Sequence, residues 1–155
     1  MSRRRSCLRE VLLPLVTVTA LTGCTSGQGT ACTLVGMDSA VSVVWRPADF
    51  EGSGGATIRL CVDGACEERA SGDPGDPFGR VSVGLPQDIG PEHLPVELTV
   101  TPVEKGRPVK DSAQAELTEE RPNGPGCGPV AWTATFRADP VKGLVSPKGL
   151  VLQEK

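Results

Sequence analysis

The chain has 155 residues, enough for one domain and too few for two comfortable ones. It holds 19 Gly, 14 Pro and no Tyr, and its aromatic side chains are Trp45, Trp132, Phe50, Phe78 and Phe136; this composition favours short strands and many turns over long helices. The formal charge of −3 becomes −6 once residues 1–23 are set aside, because that stretch carries Arg3, Arg4, Arg5 and Arg9 against Glu10 alone, leaving 12 basic and 18 acidic residues. Such a balance argues against a nucleic-acid-binding domain and against electrostatic adhesion to anionic lipid.

The first 23 residues read as a processing segment. Four arginines form a basic n-region, and residues 11–21 form an apolar run too short to span a bilayer, which takes about 20 apolar residues. The run ends in Leu21-Thr22-Gly23-Cys24. This resembles the lipobox of bacterial lipoproteins, in which the Cys thiol receives a diacylglyceryl group with palmitate-type chains and the signal peptidase cuts before it. The resemblance implies lipidation of Cys24 and a place on the extracytoplasmic face of the cell membrane. Arg4-Arg5-Ser6-Cys7-Leu8-Arg9 also resembles a twin-arginine export signal, with Cys7 where that family has Phe. Arginine clusters are ordinary in n-regions, so the general secretory route stands slightly ahead. Residues 24–31 then read as the lipidated Cys and a small, polar, flexible tether. The preference for Arg over Lys, with much Gly, Ala, Pro and Val, resembles lipoproteins of high-GC Gram-positive bacteria.

Beyond Cys24, four cysteines remain: Cys32, Cys61, Cys66 and Cys127. An even number in an exported chain points to disulfides. Cys61-Val-Asp-Gly-Ala-Cys66 centres Asp63-Gly64 in a two-residue hairpin turn of type I′. Cys61 and Cys66 then face each other as a non-hydrogen-bonded pair, with Cα atoms about 4.5 Å apart, within disulfide range. Cys32 and Cys127 are left to pair. A four-cysteine zinc site is the weaker reading, because Cys32 and Cys127 are isolated singles. A redox pair at Cys61 and Cys66 would normally have two intervening residues at a helix start.

In chain order, the remaining elements alternate apolar and polar residues. Residues 40–45 put Val41, Val43 and Trp45 on one face. Residues 56–62 put Ile58, Leu60 and Val62 inward and Thr57, Arg59 and Cys61 outward, so the hairpin disulfide falls on the polar side, and 66–70 is the return strand. Residues 80–85 point Val81, Val83 and Leu85 inward, and 94–102 does so with Val96, Leu98 and Val100. The weaker 109–117 uses Ala113, Ala115 and Leu117, and 131–136 uses Trp132, Ala134 and Phe136. Residues 88–93 allow one helical turn at most. Seven short strands in about 110 residues predict an all-β, antiparallel two-layer sandwich over 32–139, similar to immunoglobulin or fibronectin III modules in strand count only. Residues 140–155, with Lys-Gly-Leu-Val at 142–145 and again at 148–151, read as a tail or one edge strand.

Pro122-Asn-Gly-Pro-Gly-Cys127-Gly-Pro129 predicts a tightly bent loop. Together with the Cys61–Cys66 hairpin it resembles small secreted proteins and lipoproteins of actinobacteria, a resemblance that carries no activity. Catalytic motifs are wanting. His93 has no nucleophile elbow beside it, and Glu67-Glu68 and Glu119-Glu120 read as exposed decoration. Asp73 and Asp76 lack the ligand density of a calcium loop, and Gly52 to Gly55 lacks a phosphate-binding continuation. The expectation is a non-catalytic binding module without cofactor or metal. It would be anchored through Cys24 and contact an envelope protein or small ligand through loops 46–55, 71–79 and 121–130. The alternatives are an envelope enzyme whose carboxylates converge only in three dimensions, and a structural accessory subunit.

Overall fold

A computed structural model describes residues 32–146. The signal segment 1–23, Cys24, the tether 25–31 and the second Lys-Gly-Leu-Val copy lie outside the described residues.

Nine strands are present among the described residues: β1 (Ala40–Trp45), β2 (Ala56–Val62), β3 (Ala65–Ala70), β4 (Gly79–Gly84), β5 (His93–Pro102), β6 (Val109–Glu116), β7 (Thr118–Glu120), β8 (Ala131–Asp139) and β9 (Gly143–Val145). One sheet is ordered β4-β1-β8-β7, with β9 also on β8, and the other is ordered β3-β2-β5-β6. The all-β two-layer sandwich with two disulfides is therefore the architecture. The seven expected strands correspond to β1–β6 and β8. The two additional strands are three residues each and share one edge of β8: β7 pairs Thr118–Glu120 with residues 131–133, and β9 pairs Gly143–Val145 with residues 137–139. All pairings are antiparallel except β1 with β8, which runs parallel from Ala40↔Thr133 to Val44↔Arg137.

The inward faces are the apolar members of each alternation. Val41, Val43 and Trp45 meet Ile58, Leu60 and Val62 across the layer, joined by Val96, Leu98, Val100, Ala134 and Phe136, all nearly inaccessible. Trp132 is half-buried against this core. The segment 88–93, read as one helical turn at most, is a turn and a bend before β5 begins. A 3-10 helix instead covers Pro47–Ser53 inside the first expected binding loop. Its Pro47 sits in the first turn, where a missing N–H costs nothing, and its Phe50 plugs the end of the core.

At the other edge of the sandwich the chain passes from one sheet to the other in a single buried residue, Leu117, between β6 and β7. β9 is fastened to this edge by Asp111, whose Oδ2 accepts from Leu144 N at 2.9 Å. Gly143 makes that approach feasible. It has φ +79°, and a β-carbon there would stand 2.5 Å from the Asp111 β-carbon.

Candidate functional site

The registers sort every connection to one of two ends. β1 and β8 start together, so the segment before β1 and the loop 121–130 lie at the same end. Ala40↔Gly84 brings the β4–β5 connection there, and Val62↔Val96 brings the β2–β3 turn. The opposite, far end collects the 3-10 helix segment 46–55, the 71–78 loop, the 103–108 loop and the 140–142 turn. The three loops expected to form one contact surface are therefore divided. Loops 46–55 and 71–79 meet at the far end, whereas 121–130 lies at the Cys32 end. The reason is the parallel β1–β8 pair, a non-local choice that loop composition does not reveal.

The Cys32 end is closed by a clamp. Cys32 and Cys127 are disulfide-bonded with Cα atoms 5.7 Å apart, and Cys127 is buried. Asn123, only 4% exposed, uses its whole amide. Its Oδ1 accepts from Thr33 Oγ1 at 2.9 Å and from Val35 N at 2.8 Å; its Nδ2 donates to Val35 O at 3.1 Å and to Gly128 O at 3.0 Å. The side chain thus stands in for a strand partner to Val35. Buried Ser39 continues the closure: its Oγ accepts from Trp132 N and its carbonyl from Leu85 N. Beside this lies a shallow depression of about 420 Å³ between the β2–β3 turn and the β4–β5 connection. Its floor includes Leu85, Ile89 and Leu94, and its rim carries Asp63, Asp88 and Glu92, a lining suited to a cation with an apolar body.

The far end is held by Ser71. Its N–H donates to Ala56 O, its Oγ accepts from Ala56 N at 3.0 Å, and its carbonyl accepts from Trp45 Nε1 at 2.7 Å. A β-carbon at Gly79 would overlap the Trp45 indole, which explains the small residue there. Backbone bonds from Val103 N to Gly55 O and Glu104 N to Ser53 O attach the 103–108 loop. On this frame Phe78, Val103 and Val141 are 67%, 66% and 81% exposed.

Asp49, in the 3-10 helix, accepts from Arg46 Nη2 and Arg137 Nη2, each at 2.7 Å. Burial opposes its charge, but the two guanidinium hydrogen bonds prevail and hold its carboxyl below the usual value. Asp139 is also held low, by backbone N–H groups of Lys142 and Val141. Both act as permanent acceptors near neutral pH, not as proton donors.

The remaining candidates are dispersed. Cys61 and Cys66 are bonded across the hairpin as register partners, Cα atoms 4.0 Å apart, with Asp63 and Gly64 both at positive φ. His93 is exposed at the start of β5, opposite Glu116. Glu67 and Glu68 lie on β3, whose residues are all exposed. Glu119 pairs with Arg121, and Asp73 Oδ1 accepts from Gly75 N within its own loop. Among the described residues no group of three His, Cys, Asp or Glu is arranged to hold a metal ion. Asn123, Ser39, Ser71 and Asp111 were not singled out by sequence reasoning; of these Asn123 lay in the Pro/Gly-rich loop and Ser71 at the head of the 71–79 loop, both flagged stretches, whereas Ser39 and Asp111 carried no signal.

No family model matches the chain, and neither a curated protein nor a solved structure does.

Proposed function

We propose that the chain is an exported lipoprotein, cut before Cys24, acylated on that residue and held on the extracytoplasmic face of the cell membrane. In this reading the sandwich is a non-catalytic interaction module for another envelope protein, and its contact surface is the far end. The observation that carries the reading is the framed far end: loops held by Ser71 and by the backbone bonds of Val103 and Glu104 present Phe78, Val103 and Val141 to solvent, at the end opposite the one where the chain from Cys24 enters. Exposed aromatic and aliphatic side chains on such loops are the material of protein contacts.

The test is photo-cross-linking on intact cells from a reactive side chain placed at Phe78 or Val141, followed by mass spectrometry. One protein captured reproducibly at both positions, and lost when Cys24→Ala releases the chain, is the expected result. Capture of no protein at either position removes this reading and moves a small ligand, a glycan or catalysis to the front.

A further inference from the structure

The Cys32 end exposes its own apolar side chains: Leu34 fully, at 101%, Val35 at 52% and Met37 at 38%. They do not sit on loose chain. The disulfide fixes residue 32, and Asn123 binds Thr33 and both backbone groups of Val35, so those two residues turn toward the 121–130 loop and Leu34 turns away from it. Gln87 Nε2 donates to Asp38 Oδ1 at 3.0 Å and ties the end of the segment to the β4–β5 connection. The domain gains no packing from a leucine held rigidly in water; such a residue is available to another surface. Cys24 precedes Cys32 by eight residues, a link of at most about 29 Å when fully extended.

We infer that residues 33–37 form a second membrane contact, with Leu34 and Met37 seated at the boundary between headgroups and acyl chains. This rests on the reading of Cys24 as the acylated residue. A surface on so short a leash meets the bilayer at high effective concentration, so a few apolar side chains suffice where they would not anchor a free protein. The charges at this end set the lipid class. Among the described residues of this end, Asp38, Asp63, Asp88, Glu92, Glu119 and Glu120 outnumber Arg121, so anionic headgroups repel it and the contact is an apolar one with zwitterionic lipid. The nine residues of β8 separate this end from Phe78 and Val141 by roughly 30 Å, which directs the far end away from the lipid.

The acylated full-length chain is reconstituted in vesicles of phosphatidylcholine brominated in the acyl chains. Leu34→Trp and Phe78→Trp are read separately against the unsubstituted protein, whose Trp45 and Trp132 give the baseline. Because both positions are exposed, neither substitution threatens the fold. The expected result is a blue shift and loss of at least half the added emission at position 34, with emission at 78 unchanged. The mass of the N-terminal lipopeptide is measured first. Absence of acyl chains on Cys24 overturns the anchor and this inference with it. Acylated protein whose indole at 34 is unquenched, or in which 34 and 78 are quenched alike, overturns the second contact alone.

Discussion

The two disulfides hold regions of opposite character. Cys61–Cys66 closes a hairpin already specified by Asp63-Gly64 and by six register pairs, and it sits against a strand exposed on all its residues. Cys32–Cys127 joins segments 95 residues apart in sequence, and it fastens a stretch, 32–38, that belongs to no sheet. Where the backbone supplies its own ladder, the covalent bond repeats information. At the Cys32 end no backbone ladder holds the segment, so the covalent bond supplies its placement together with Asn123, which acts as a single-residue strand for Val35, and Gln87, which holds Asp38.

The sharpest way to break this contrast is to remove each bond as a pair. Cys32→Ser with Cys127→Ser is expected to cost about 4–5 kcal/mol in the chain-entropy description of a long loop, seen as the largest fall in melting temperature of any change proposed here. Asn123→Ala keeps the disulfide but strands the backbone groups of Val35. A loss of about 2–3 kcal/mol in chemical denaturation is expected, with faster amide exchange at Val35. Cys61→Ser with Cys66→Ser is expected to cost about 2 kcal/mol, with β3 amides losing protection before the rest of the sheet. A melting loss equal to that of the long-range pair would abolish the distinction. The smallest effect concerns the far end and pH. Because the folded-state Asp49 carboxyl lies below its usual value of 3.8, its contribution is fully present above that value and is lost as the pH falls through the lowered one. Asp49→Asn is expected to cost from a few tenths to about 1 kcal/mol at neutral pH and to flatten stability measured across the acid range below pH 4.

Most of the fold was legible because each long strand alternates cleanly. Val41-Val43-Trp45, Ile58-Leu60-Val62 and Val96-Leu98-Val100 all point inward as read, and the Asp63-Gly64 turn fixed the register that joins Cys61 to Cys66. Strand β7 was not legible, and β9 only as the edge-strand alternative for 140–155, since three residues are too few for any period and their pairing is set by the crossover at Leu117 and by Asp111. Nor was the 3-10 helix: 46–55 was read as a loop, and only the packed sheets reveal that Phe50 has a core to enter. The division of the candidate loops between two ends depended on which strand neighbours β1, a long-range preference without local signature. Asn123 was visible as part of an unusual loop, but its role depends on Val35 lying beside it, 88 residues away.

The parallel neighbours β1 and β8 also govern when the domain can come into being. β1 is central in its sheet, and the partner on one side is more than ninety residues downstream. Contact order is therefore high, and closure must await almost the whole chain. Until β8 has docked, one edge of β1 has no partner, and the apolar face around Val41 and Val43 has lost Ala134 and Phe136 from its surroundings. A chain emerging vectorially during synthesis carries that edge open to other chains until residue 139 has emerged.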